Sequence, residues 1–204
     1  MKWKSPVPYP SLFRSVDSIH TLTNDLWLAL TIIWALCAFA VKPTIAKQSS
    51  KARIWYLFVL GLGAYLIIAR QMHAAWLNVP VFRVNIPLAQ TGFVFACLGM
   101  AFAIWARLIL GSNWSGAVTI KHDHTLIQSG PYRIVRHPIY TGLLIALLGS
   151  ALQYSYLRSL LGVLLIGFGF WLKSLFEEQF MAQRFGNEYL IYRQQVCALI
   201  PFIF

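Results

Sequence analysis

The stretch LAQTGFVFACLGMAFAIWARLIL, residues 88–110, carries no charge before Arg107. A helix of about 20 mostly apolar residues crosses the hydrocarbon core of a bilayer, so this run predicts a transmembrane segment. Arg107 lies near its end, where a long stem is expected to carry the charge to water. Four further runs flank it: Leu26–Val41, closed by Lys42-Pro43; Ile54–Ala69, closed by Arg70; Ile139–Gln153; and Leu160–Phe176. Trp27, Trp55 and Tyr56 sit in the first two, where aromatic residues suit the membrane–water interface. Only a few residues around Tyr154 and Arg158 separate the last two runs, which predicts an antiparallel hairpin acting as a rigid unit.

Composition agrees with this reading. Of 204 residues, 58% are hydrophobic and 11% charged, with a mean hydropathy of +0.62. Soluble proteins carry roughly 25% charged residues, so a water-soluble globule is excluded. Cys37, Cys97 and Cys197 are scattered singly and read as small packing residues rather than a disulfide or zinc framework. The net charge of +11 comes without a basic run, so nucleic acid is not an expected partner, whereas membrane lipids are. Lys and Arg divide between the two sides of five spans as six and eleven. The positive-inside rule then puts the N-terminus outside, and the 111–137 loop and the C-terminal tail in the cytoplasm. The expected fold class is an all-α integral membrane protein: five transmembrane helices with a cytosolic C-terminal helical pocket. It divides into an N-terminal region, 1–110, with three spans, and a region 111–204 with a motif loop, the hairpin and C-terminal helices. The N-terminal residues lack the pattern of a removable signal peptide, so the first span is expected to be a retained anchor. Gln71–Pro87, with Pro80 and Pro87, is too apolar for a solvated loop and too broken for a span, which assigns it to the interface. No internal repeat is present, which weakens a transporter built on inverted halves.

The polar residues concentrate in two places. From His122 to Tyr140 the chain packs three histidines and two arginines just ahead of the fourth span. Gly130-Pro131 marks a turn. Pro138 suits the first position of a helix, leaving the N–H groups of Ile139, Tyr140 and Thr141 as expected unpaired donors. Such a helix start attracts an anion, and Arg136 and His137 add to the attraction. A basic juxtamembrane loop against lipid headgroups explains the same residues without chemistry.

The second cluster follows the fifth span: Lys173, Glu177, Glu178, Arg184, then Phe185-Gly186-Asn187-Glu188-Tyr189, Tyr192 and Arg193. Lys173 and Glu177 are i, i+4 neighbours on a continued helix. The structural alternative is an ordinary ion pair, but ionisable residues at membrane depth are expensive and tend to line cavities. Gly186 is expected to end that helix and Asn187 to cap another, with Tyr189, Tyr192, Arg193 and Val196 on one face. That stripe reads as packing. His122, His124 and His137 lack metal-ligand spacing, so no metal site is expected. Nucleophile elbows, phosphate loops and dinucleotide fingerprints are absent from the sequence.

Together, His124-Thr125-Leu126-Ile127, Ser129-Gly130, Tyr132, Arg136-His137-Pro138, Tyr140 and Gly142, followed by Glu177-Glu178 and Phe185-Gly186-Asn187-Glu188-Tyr189 with Tyr192, resemble the isoprenylcysteine carboxyl methyltransferase family. Phospholipid N-methyltransferases share the Arg-His-Pro-x-Tyr and Glu-Glu elements. The resemblance covers roughly Trp114–Phe204. It implies an integral membrane enzyme that uses S-adenosylmethionine to methylate a hydrophobic or prenylated, lipid-borne acceptor.

Carried over by position, the resemblance makes His124, Thr125, Leu126, Ile127, Tyr132, His137, Pro138, Ile139, Tyr140, Glu177 and Glu178 donor-binding residues. It makes Lys173, Glu177 and Arg136 the catalytic set. Eukaryotic carboxyl methyltransferases of the family place an arginine on the substrate carboxylate where Lys173 stands here. Lysine keeps the charge but loses the bidentate fork, which leaves O- and N-methylation both open. An NADPH-dependent membrane reductase of the sterol-reductase type is a further alternative. Those enzymes carry Asn two residues after the histidine of their Arg-His motif, where this chain has Ile139.

Overall fold

A computed structural model of the chain describes residues 9–37, 44–47, 50–69, 72, 74–114, 119–121 and 125–201, with side chains from 16–37, 53–69, 72, 74–114 and 125–201. Six α-helices dominate: α1 (Tyr9–Cys37), α2 (Ser50–Ile68), α3 (Ile86–Leu110), α4 (Pro138–Tyr154), α5 (Leu157–Phe185) and α6 (Asn187–Gln195). The chain is all-α in class, with one short addition among the described residues. Strand β1 (Thr44–Lys47) pairs antiparallel with β2 (Thr119–Lys121), joining two loops at one end of the bundle.

Over its described residues each expected apolar run lies on a helix, residues 38–41 of the first lying outside them, but the boundaries move. Among the described residues three helical stretches are long and apolar enough to cross a membrane: Val16–Cys37, Ile86–Asn113 and Leu157–Phe185. The apolar lengths of the other two, Arg53–Ile68 and Pro138–Tyr154, are shorter. The first run begins ahead of Leu26 because the polar face of α1 remains helical. There Thr23 donates to the Gln153 amide oxygen of α4 at 2.9 Å, and the Trp27 indole to Ser150 at 2.9 Å. The fifth run passes Phe176 and ends only at Gly186, whose φ of 54° an L-residue rarely adopts. Gly186, rather than Asn187, is therefore the cap from which α6 starts.

Small residues decide which helices touch. Gly92, Ala96, Gly99 and Ala103 on α3 face Gly142, Ala146 and Gly149 on α4. A β-carbon at Gly142 would lie 2.6 Å from the Gly99 carbonyl oxygen and 2.7 Å from the Ala103 nitrogen. Backbones this close gain their contact energy from dispersion, the main attraction left to helices in lipid. Gly63, Gly162 and Gly169 do the same for α2 against α5. The α4–α5 hairpin, expected to act as a unit, thus also packs each arm against a partner of its own. Its turn, with Ser155 at φ 55°, is zipped to the 79–82 segment: Leu157 N–H bonds to Val79 O at 3.0 Å and Val81 N–H to Ser155 O at 2.7 Å. This fixes Pro80 in the expected irregular stretch, within which Ala75–Asn78 forms a single 3-10 turn.

Arg107 departs most from expectation. It does not reach water: it is 5% exposed, donating to Gly111 O at 2.7 Å and to Cys37 O at 2.9 Å. Those are carbonyls at the C-terminal ends of α3 and α1, where a cation is favoured.

Candidate active site at the helix start of α4

Gly130, at φ 59°, opens a 3-10 turn Gly130–Arg133 that Pro131 stabilises, and the chain then enters α4 with Pro138 at its first turn. The C-terminal segment holds this loop from behind. Arg136 N–H bonds to Cys197 O at 2.8 Å and His137 N–H to Ala198 O at 3.0 Å, while the Thr141 hydroxyl donates to Leu199 O at 2.6 Å. The Tyr192 hydroxyl of α6 donates to Tyr132 O at 2.6 Å. One expected donor is lost, since Thr141 N–H already bonds to His137 O. Ile139 and Tyr140 keep N–H groups without a backbone partner among the described residues.

A cleft of about 270 Å³ opens between this loop, α5 and the C-terminal end of α1. Of the sequence-derived site residues, Thr125, Leu126, Ile127, Tyr132, Arg136, His137, Pro138, Ile139, Tyr140, Lys173 and Glu177 all line it. His124 lies outside the described residues. Glu178 does not line the cleft.

The two adjacent glutamates have different surroundings, because neighbours on a helix point about 100° apart. Glu177 Oε1 accepts the Tyr140 hydroxyl at 2.6 Å, and Lys173 Nζ stands 3.8 Å away. His137 Nδ1 lies 3.4 Å from Glu177 Oε2, and its Nε2 lies 3.2 Å from Glu178 Oε1. Glu178 Oε1 also accepts from Arg136 Nε at 2.9 Å and Nη2 at 2.7 Å, and Arg193 Nε stands 3.4 Å from Oε2. Arg136 is further tied to the Arg193 and Val196 carbonyls. Glu178 is therefore the buried centre of a cationic knot, and Glu177 the carboxylate that faces the cleft.

Electrostatics follow the geometry. Burial alone would lower the His137 pKa, but hydrogen bonds and charge from Glu177 and Glu178 outweigh it and raise the imidazole above its ordinary value. Burial pushes the phenols of Tyr132 and Tyr189 upward, and that of Tyr192 up to about 12, so all three stay neutral. Aromatic rings form the walls: His137 stacks on Tyr140 at 5.6 Å and Tyr140 on Phe170 at 4.6 Å, with Lys173 5.2 Å above the Tyr140 ring. The site can thus hold a small zwitterionic cation: anion-binding donors at one point, a carboxylate and aromatic faces at another.

Sequence reasoning missed Trp34, Asn113, Trp114 and Phe170, and it took Tyr189 and Tyr192 for packing alone; all six line the cleft. Trp34 comes from α1 and gives no sequence signal, being one aromatic among many in an apolar run. Asn113 and Trp114 follow Leu110 after Gly111-Ser112 and are visible as part of the polar and aromatic break beyond the third run.

Residues 88–188, which supply most of the cleft's lining, match the family model described as phospholipid methyltransferase. The chain is 31% identical over 158 residues to the protein-S-isoprenylcysteine O-methyltransferase of Schizosaccharomyces pombe, covering 73% of this chain and 67% of that one. It belongs to the isoprenylcysteine carboxyl methyltransferase family. The Xenopus laevis protein-S-isoprenylcysteine O-methyltransferase is 33% identical over 196 residues, 95% of this chain and 62% of its own length. A probable protein-S-isoprenylcysteine O-methyltransferase of Oryza sativa subsp. indica is 32% identical over 119 residues, 57% of this chain. The chain spans about three fifths of the rice relative's length, 62%. A solved structure, that of the eukaryotic intramembrane Ras methyltransferase isoprenylcysteine carboxyl methyltransferase, aligns with a TM-score of 0.49 and 24% identity, over 76% of this chain and 52% of that chain. Family membership sets aside the reductase alternative.

Proposed function

We propose that the chain transfers a methyl group from S-adenosylmethionine to the carboxylate of a hydrophobic, prenylcysteine-like acceptor at the cytosolic face of a membrane. The carrying observation is Glu177, a carboxylate facing the cleft within reach of Tyr140, His137 and Lys173. The residues present fit the donor. Arg136, His137 and the N–H groups of Ile139 and Tyr140, which have no backbone partner among the described residues, suit its carboxylate; Glu177 and the Tyr140–Phe170 stack suit its sulfonium. When bound, the donor supplies an electrophilic methyl on sulfur. Thr125, Leu126, Ile127, Tyr132 and Pro138 shape the walls around it, and Glu178 holds Arg136 and His137 in place from behind.

Displacement at a methyl carbon needs little proton movement when the acceptor is a carboxylate. The chain's contribution is then positioning and exclusion of water. Lys173 stands where an ammonium acceptor would be repelled and a carboxylate attracted, which favours O- over N-methylation. Trp34, Leu143 and Phe170 extend the cleft into the bundle, giving an acceptor's apolar tail a route from the bilayer.

In this reading all five long helices cross the membrane. At 1.5 Å per residue, the 17-residue α4 is about 26 Å long and the 19-residue α2 about 28 Å, just under a core of about 30 Å. A short α4 sinks the His137 end slightly below the headgroups, where the donor arrives from water and the acceptor from lipid. The basic excess at the cleft end supports a reading with that end in the cytosol and the N-terminus outside. Residues 1–110 serve as framework, contributing Trp34 and Leu110, and 111–204 as the methyl-transfer region. Calorimetry with S-adenosylhomocysteine on detergent-purified protein tests donor binding, and labelled methyl transfer to an S-farnesylcysteine against phosphatidylethanolamine tests the acceptor. Absence of binding at millimolar ligand overturns the first, and methylation of the amine alone the second.

A further inference from the structure

Helix α1 is held to the bundle differently from its neighbours. The α3–α4 and α2–α5 pairs meet through glycines, whereas residues 9–37 contain none. Burial also does less for α1: 11% of its most apolar stretch is buried, against 33% in those of α3 and α5. Polar ties at the end remote from the cleft take their place. Thr23 donates to the Gln153 side-chain oxygen at 2.9 Å, the Trp27 indole to Ser150 at 2.9 Å and the Tyr154 hydroxyl to Asn24 at 3.0 Å, while the His20 ring lies 4.8 Å from that of Tyr154. Gln153 is fully buried and Thr23 is 1% exposed. A buried amide is costly where a leucine would pack, and what such a group adds in return is register. At the cleft end the tie is to backbone, from Arg107 to Cys37 O at 2.9 Å, a bond that any residue there would accept.

Register matters because one face of α1 runs from these ties to the cleft. His20, Thr23, Trp27, Leu30 and Trp34 follow one another at spacings of three and four, which places them in one stripe. Leu30 joins Met100 and Ala146 in a buried cluster. Trp34 packs against that cluster and against the next, of Ala106, Tyr132 and Ile139, and lines the cleft. It lies eleven residues beyond Thr23, about 16 Å along the helix, and a slip of one residue would swing it about 100° off the face. Lipid tails are as apolar as the helix surface, so a slip costs little hydrophobic energy, but it breaks the directional bonds to Gln153 and Ser150. We propose that Gln153 is a positioning residue for the acceptor: through Thr23 it fixes the register of α1 and holds Trp34 in the wall along which the acceptor's apolar tail lies. The assignment rests on the proposed prenylcysteine-like acceptor, and it puts a determinant of acceptor binding at the opposite end of α4 from the reacting groups.

The test is methyl transfer to S-farnesylcysteine by the full detergent-purified chain, with calorimetry of S-adenosylhomocysteine alongside. Gln153→Leu should raise KM for the acceptor by about fivefold, the weight of one interhelical hydrogen bond in lipid, with kcat and donor affinity within about twofold of wild type. The freed Thr23 hydroxyl still reaches Ile19 O of its own helix at 2.9 Å. Thr23→Val should match Gln153→Leu and serves if that variant does not fold, whereas Thr23→Ser, which keeps the hydroxyl, should behave as wild type. Trp34→Ala should raise KM at least as far, and adding Gln153→Leu to it should raise KM no further, because both act on one wall. Loss of stability alone would produce neither the split between KM and kcat nor that non-additivity. An unchanged KM in Gln153→Leu or in Thr23→Val refutes the assignment, as does donor affinity lost in step with KM. Effects that add in the double variant refute the route through Trp34. A wild type that binds S-adenosylhomocysteine but methylates no S-farnesylcysteine overturns the acceptor reading and this assignment with it.

Discussion

Replacing Glu178 by Gln separates the two adjacent glutamates. Glu178 is 6% exposed, and its one charge faces Arg136, His137 and Arg193. Arg136 and Glu178 have side chains only 10% and 7% exposed, so their pair counts as buried, whereas Arg193 at 54% is screened by water and adds little. Removing one partner of a buried, hydrogen-bonded pair costs about 3–5 kcal/mol, because the remaining cations are left uncompensated. Glutamine keeps one oxygen to accept from Arg136, which puts Glu178→Gln near the lower figure. At roughly 2–4 °C per kcal/mol for a chain of this size, the midpoint of thermal unfolding should fall by about 6–12 °C. The assay is unfolding in detergent followed by intrinsic fluorescence, alongside calorimetry with S-adenosylhomocysteine below the transition. Glu178→Gln should lose stability while the protein still folded keeps measurable donor affinity. Glu177→Gln should keep the midpoint within a few degrees and lose donor binding. A Glu178→Gln variant as stable as wild type but unable to bind would refute the division of roles.

Three other outcomes follow from the same geometry. Glu177→Ala and His137→Ala should abolish donor binding, whereas Lys173→Ala should slow methyl transfer with donor affinity largely kept; equal loss of affinity in all three counts against this. Because the His137 pKa is raised on folding, the imidazolium's contribution to stability and to binding the donor's carboxylate is complete below the ordinary value of about 6.5 and is lost as pH rises through the raised one. Affinity for S-adenosylhomocysteine should therefore hold at acid pH and decline on the alkaline side, and His137→Gln should flatten that profile. Gly142→Ala would place a methyl group 2.6 Å from the Gly99 oxygen, which should cost about 1–3 kcal/mol as overpacking and register as a lower unfolding midpoint.

Much of the site was legible before any fold was known, because its chemistry stands out against an apolar background. In a chain with six acidic residues, two of them adjacent at the end of a span are conspicuous, as are histidines and arginines crowded ahead of Pro138. The resemblance singled out Glu177 for the catalytic set but put Glu178 in the donor pocket beside it, whereas Glu178 meets Arg136 across 42 residues of sequence, a contact only the fold makes. Sequence reasoning could not see Trp34, whose place in the cleft depends on how α1 leans on the other helices. For Arg107 it chose water over two helix ends that only the fold brings to it.

Hydrophobic length alone determined that helices fill this chain, and the scarcity of charge marked where its chemistry is concentrated. Both are local properties that a run of residues carries by itself. Tertiary structure decided the pairing of α3 with α4 and α2 with α5 through glycines that admit a facing backbone. It also decided the strap of residues 196–199 behind the motif loop and the separation of one glutamate into the cleft from its neighbour in the knot. Those outcomes depend on close approach between segments far apart in sequence, and short-range patterns do not encode which distant surface will fit.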